Sequence, residues 1–184
     1  MSGKVIMSIG AVTAQTTPQA ATNAERTLAR GADVFISETL TTGPNAHLQM
    51  RMVDDALLSL ACNSELVIND YSFAANSAAD TIRLQLLSGS LRMVTGTIPE
   101  MNRSAFRLAV GSSELTVRGT DFRVTLDADN QSVHFAVIDG GITISNSEGA
   151  IDLGIGGDFD FAVVRLNEAP TGLEQQVLQS SNCR

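Results

Sequence analysis

Tryptophan is absent from this chain, tyrosine and lysine occur once each, as Tyr71 and Lys4, and histidine twice, as His47 and His134. Each scarcity narrows the range of activities. Carbohydrate surfaces usually stack sugar rings on aromatic platforms, and one tyrosine with seven phenylalanines is poor equipment for that. Nucleic acid binding requires a cationic surface that displaces counterions, yet twelve basic residues face twenty acidic ones, for a formal charge of −8. Anionic membrane surfaces are disfavoured for the same reason. No apolar run is long enough to cross a bilayer as a helix.

Nucleophilic catalysis needs a base beside a nucleophile. His47 opens a strand after "GPNA", and His134 lies in "SVHFAV" opposite the phase of Val133, Phe135 and Val137, so both read as outward strand residues. No Gly-x-Ser-x-Gly elbow, phosphate loop or dinucleotide fingerprint is present. "DADNQS" starts like a calcium loop, but Ser132 and Ile138 stand where Gly and Glu are required. "LGIGGDFDF" has the flavour of calcium-binding repeats, yet occurs once and out of register. Both read as hairpin turns. No catalytic residue, metal or cofactor is expected.

Cysteine is scarce too, with Cys62 and Cys183 alone. One bridge pinning the tail would suit an oxidising compartment; two unpaired thiols are the simpler reading. The amino terminus lacks the basic start and apolar core of a secretory leader. Either a leader has been removed or the protein stays inside the cell.

What is present is a rhythm of short alternating runs. A chain of 184 residues is long enough for one domain with a real core. "ADVFISETLTTG" keeps Val34, Ile36 and Leu40 on even positions, "HLQMRMV" does so with Leu48, Met50 and Met52, and Val5, Met7 and Ile9 alternate with Lys4, Ile6 and Ser8. Further runs follow at roughly eight- to twelve-residue spacing, separated by turn signals such as "TGPN", "CNS", "DGG" and "NSEG". The expected fold is all-β, a short-stranded, solenoid-like, twisted two-sheet sandwich. "LSLACNSELVI" and "FRLAVGSSELTV" resemble one another, which would place Glu65 and Glu114 in equivalent turns.

Helix signals are confined to two places. "PQAATNAERTL" could form a turn or two. "APTGLEQQVLQSS" carries a Thr171-x-x-Glu174 capping box after Pro170, predicting a short C-terminal helix. The division is thus a β domain over 1–165 and a tail over 166–184.

The octapeptide "VRGTDFRV" is the most pattern-like stretch. Leu115 and Val117 carry the apolar phase on odd positions, whereas Phe122, Val124 and Leu126 carry it on even ones. Side chains alternate faces with period two, so an extra residue near Gly119 and Thr120 is needed, predicting a β-bulge or tight bend. With Val117 and Phe122 inward, Arg118, Asp121 and Arg123 would share the outward face, Arg118 pairing with Asp121. Gly119, Thr120 and Phe122 then form the structural motif, and the three charged residues the candidate protein-binding surface.

From "SIGAVTA" through "LLSGSLRMVTG" and "VRGTDFRV" to "VIDGGITISNSEGAIDLGIGGDF", the chain resembles the FecR-domain family. Its marks are Arg-Gly-Thr with a following aromatic, the "LRMVTG" segment and the "DGGITISN" hairpin. The resemblance implies an all-β module outside the bacterial cytoplasmic membrane, of the kind carried by anti-sigma regulators and by free-standing exported proteins. It implies no catalytic residue. Two departures stand out: no membrane helix or sigma-binding helical region is seen, and "LAVGSSELTV" replaces the Thr-Pro often found upstream of Arg-Gly-Thr. The expectation is a non-enzymatic, periplasmic or extracellular module for envelope signalling or regulation. Its partner would be another envelope protein or itself, with no nucleic acid, membrane span or small ligand. The alternative is a structural subunit or scaffold of a surface assembly.

Overall fold

A computed structural model describes residues 1–16, 25–74, 80–98, 104–127 and 132–175. Nearly every regular element is a strand, because alternating apolar residues bury one face of each run while β-branched neighbours suit the pleat. In "HLQMRM", for example, Leu48, Met50 and Met52 are buried and the residues between them are not.

Two sheets form, and the chain passes back and forth between them. The first contains β1 (Gly3–Ile9), β4 (Asp33–Val34), β6 (His47–Met52), β7 (Leu57–Leu60), β12 (Asp121–Leu126), β13 (Ser132–Asp139), β16 (Phe161–Arg165) and β17 (Thr171–Leu173). The second contains β2 (Val12–Thr16), β3 (Glu25–Thr27), β5 (Glu38–Thr42), β8 (Glu65–Ser72), β10 (Phe106–Val110), β11 (Ser113–Val117), β14 (Gly141–Asn146) and β15 (Gly149–Gly154).

One strand belongs to both. β9 (Thr81–Val94) pairs β8 and β10 along Thr81–Ser88, then pairs β7 and β12 along its second half. The change of sheet falls at Gly89, whose φ of +79° a side chain would resist. The order in the first sheet is thus β4, β1, β6, β7, β9, β12, β13, β16, β17. In the second it is β3, β2, β5, β8, β9, β10, β11, β14, β15. Among the described residues, every strand pairing is antiparallel except that of β9 with β10.

The expected two-sheet, solenoid-like architecture is therefore what forms, with one continuous core between the sheets. Phe106 and Phe122, from opposite sheets and fully buried, meet edge to face at 6.0 Å between ring centroids.

Several local expectations are corrected. Thr171–Leu173 does not begin a helix but pairs with β16 as an edge strand, Ala162 opposite Gly172. Glycine is a poor helix former, and the Phe159 ring lies where a Gly172 side chain would stand. The remainder of that segment, from 176, lies outside the described residues. So does most of "PQAATNAERTL", whose last part, Glu25–Thr27, is strand β3. Ile36 faces solvent because the chain turns at Ser37, where φ is +65°. A bulge after Val5 breaks the phase of β1 and leaves Ile9 exposed.

The internal echo is not structural. "LSLACNSELVI" crosses from the first sheet to the second, whereas "FRLAVGSSELTV" folds back as a hairpin within the second. Neither glutamate occupies a turn: Glu65 opens β8, and Glu114 lies within β11 and pairs with Arg107. Cys62 is disulfide-bonded, contrary to the simpler reading of unpaired thiols; Cys183 lies outside the described residues.

Candidate interaction surface at the Arg-Gly-Thr corner

β11 ends at Val117 in the second sheet and β12 begins at Asp121 in the first, so Arg118, Gly119 and Thr120 form the corner between sheets. Val117 and Phe122 are both buried, as the phase argument requires. The corner itself changes the phase, and a separate bulge lies opposite it in β13. Gly119 adopts φ +64°, and the pairing of β12 with β13 slips by one residue, Asp121 facing Asp139 but Phe122 facing Val137. The unpaired residue of this bulge is Ile138.

Thr120 fastens the corner to those on either side. Its buried hydroxyl donates to the Gly141 carbonyl at 2.7 Å. Its N–H donates to Thr95 Oγ1 at 2.8 Å, and the Thr95 N–H returns a bond to the Thr120 carbonyl at 3.0 Å. The backbones approach so closely that a Cβ on Gly140 would lie 2.0 Å from the Gly119 carbonyl oxygen, and one on Gly154 2.3 Å from that of Gly140. Successive corners therefore stack backbone on backbone, and glycine is needed at the contacts.

The charged residues separate. Asp121 pairs not with Arg118 but with Arg92 of β9, accepting two hydrogen bonds at 3.0 and 2.7 Å. That hydrogen-bonded carboxylate, with its charge, raises the Arg92 guanidinium above its usual basicity. Arg123 stands directly opposite Arg92 and is exposed, with no ion-pair partner among the described residues. Asp121 thus neutralises one of two adjacent arginines and leaves the other as a surface cation. Arg118 instead lies along Gly141 and Gly156, its Nη2 3.8 Å from Asp152. The expected outward triplet is in fact a pair on the first sheet and a separate arginine at the corner. Arg92, Asp152 and Thr95 were not singled out in the sequence. Their roles depend on strand register, which alternation does not encode.

His134 presents one nitrogen, Nε2, to both Asp127 Oδ2 and Ser132 Oγ, at 3.3 Å each. A catalytic triad uses the two ring nitrogens separately, one toward the nucleophile and one toward the carboxylate. Ser132 here donates directly to Asp127, so the arrangement is a polar clasp at the end of β12 and β13. His47 lies half-buried on β6 opposite Ile9. Among the described residues no three potential metal ligands converge, and no helix is long and apolar enough to cross a membrane.

A family model described as FecR protein matches residues 38–143, spanning the core of both sheets and the Arg-Gly-Thr corner. No protein with a curated description matches the chain. Two crystal structures of an anti-sigma factor candidate from Parabacteroides distasonis ATCC 8503, at 1.65 and 2.50 Å, have a similar fold. Each superposes with a TM-score of 0.55 at 14% identity, over 73% of this chain and 59% of that one. At such identity the likeness speaks for the fold alone, and this chain spans well under two thirds of that protein's length. The family match covers more than half of the chain and includes the corner just described: the chain belongs to the FecR protein family.

Proposed function

We propose that this chain is a non-enzymatic module of envelope signalling or regulation that acts outside the cytoplasm by binding another protein. The observation that carries the reading is the FecR match over residues 38–143. The anti-sigma character of the similarly folded Parabacteroides protein and the disulfide at Cys62 support it. The most specific family motif is spent on building a corner, so recognition falls to the surface that the corner holds. There Asp121 and Arg123 are presented beside Arg92, and Arg118 stands at the adjoining edge.

A photo-crosslinking residue placed at Arg123 in the native cell tests this. The expected result is one dominant adduct with an envelope protein, lost when the crosslinking residue is placed instead at a buried control position such as Val124. Adducts only between copies of the chain would support the structural-subunit reading instead. Recovery of the native protein wholly from the cytosol with reduced cysteines would overturn the extracytoplasmic assignment.

A further inference from the structure

Two apolar side chains are buried without belonging to the core between the sheets. Ala136 of β13 and Val163 of β16 are only 7% and 2% exposed. Their neighbours Phe135, Val137, Ala162 and Val164 are core residues and they are not, so alternation turns both to the outer face of the first sheet. Phe161, opposite Ala136, and Leu173, opposite Phe161, continue the apolar strip and are half-buried. Every described strand belongs to one of the two sheets, which leaves none to cover this face. A valine on an open sheet surface would stay in contact with water, so a further segment of chain is required over it.

A covalent observation indicates which segment. Cys62 is disulfide-bonded, and the chain holds one other cysteine, Cys183. The residues after β17 must therefore return to the corner where β7 ends. Strand register marks a direct route. The Ala61 N–H donates to the Ser90 carbonyl, Ser90 stands opposite Thr125, Thr125 opposite His134, His134 opposite Val163, and Val163 opposite Thr171. This line crosses from the end of β7 to β17 through Val163. Neighbouring strands lie about 4.8 Å apart, so its five steps amount to about 24 Å. Residues 174–183 reach at most about 33–36 Å when extended, enough for this course with little slack. Val177 and Leu178 are the apolar residues available along it.

We infer that residues 176–184 form a strap across the outer face of the first sheet, held by a bridge from Cys183 to Cys62, with Val177 and Leu178 on the Ala136–Val163 strip. Reduction of the bridge releases it. A dithiol supplies two electrons and two protons, the S–S bond breaks, both cysteines become thiols, and the reductant is left as its own disulfide. Ala136 stands directly opposite Arg123, so release enlarges the surface beside that arginine with an apolar strip. The strap is independent of what binds at Arg123, and its failure leaves the crosslinking result standing.

The test uses the whole oxidised chain. Peptide mapping without reductant is expected to show Cys62 joined to Cys183 within one chain; a disulfide-linked dimer overturns the inference. Chymotryptic cleavage after Leu178, followed by mass spectrometry, should be at least about tenfold faster in Cys183→Ser, or after dithiothreitol, than in the oxidised chain. Fluorescence of 1-anilinonaphthalene-8-sulfonate should rise in Cys183→Ser as the strip is uncovered. Val163→Lys spoils the strip and leaves the bridge intact, and it too should raise cleavage after Leu178 several-fold. That result separates a packed strap from a tail that is merely tethered. Thermal midpoints establish that each variant is folded, and if Val163→Lys is not, Val177→Ser, which alters only the strap's side of the contact, decides. Equal cleavage with and without the bridge, unchanged dye fluorescence, or a folded strip variant cleaved like the native chain overturns the inference.

Discussion

At the scale of single residues, the corners decide whether the sheets can stack. Gly140 combines φ +80° with a Cβ position 2.0 Å from the Gly119 carbonyl oxygen, so an added methyl group meets backbone on one side and strain on the other. Gly140→Ala is expected to destabilise the protein by about 2–4 kcal/mol in urea unfolding, and Gly119→Val by about 1–3 kcal/mol. Equal stability of Gly140→Ala and the native chain would show that the corners have room to separate. Tyr71 provides a second residue-scale test. Its hydroxyl donates to buried Asp54 at 2.6 Å, and burial, then the Asp54 charge and hydrogen bond, raise its pKa well above the ordinary tyrosine value. The unfolded chain therefore loses this proton first as pH rises. The contribution of Tyr71 is complete below about pH 10 and declines as the pH climbs toward the folded value. With no tryptophan and no other tyrosine, alkaline absorbance titration reports this group alone. Tyr71→Phe should cost about 1–3 kcal/mol at neutral pH through the bond lost to Asp54, yet show a flatter alkaline stability profile.

At the scale of elements, alternation made most strands legible but not their partners. In a two-sheet sandwich every strand buries one face against the same core, so those of both sheets share one pattern. The echo between residues 58–68 and 106–117 misled for this reason: similar runs crossed the sandwich in one case and turned back in the other. The C-terminal capping box failed on tertiary grounds, because β16 offered an unpaired edge and Thr171–Leu173 could satisfy it. The Arg-Gly-Thr bend was readable because a phase change is a local property. The partners of Arg118 and Asp121 were not, since Asp152 and Arg92 are brought near by register. A similar long-range contact secures β3. Arg26 reaches Glu38 of β5 through three hydrogen bonds of 2.8–3.1 Å and also donates to the Asp33 carbonyl. Because Glu38 is only 4% exposed, Arg26→Ala would leave a buried carboxylate without its cation, and a loss of about 3 kcal/mol is expected. Arg26→Lys should recover only part of it, because an ammonium cannot reproduce the fork. A loss below about 1 kcal/mol for Arg26→Ala would mark the pair as a solvated surface contact.

At the scale of the whole molecule, β9 ties the two sheets into one unit. Its first half sits between β8 and β10 and its second between β7 and β12, so neither sheet keeps a continuous centre without it. The core side chains meet across the sheets, Phe106 against Phe122 among them, and separating the layers would expose both inner faces at once. Unfolding should therefore be a single transition, with the calorimetric enthalpy matching the van't Hoff value. Native-state hydrogen exchange should give the same opening free energy for the central amides of both sheets, Leu84 and Leu86 in one and Leu91 and Met93 in the other. The short end strands β3, β4 and β17 have fewer neighbours and should open at lower free energy. Two resolved transitions, or protection that differs by more than about 2 kcal/mol between the halves of β9, would instead describe two sheets that fold separately. Gly89→Val distinguishes these cases: if one strand serves both sheets, straining its bend lowers the protection of both halves together, by about 1–3 kcal/mol.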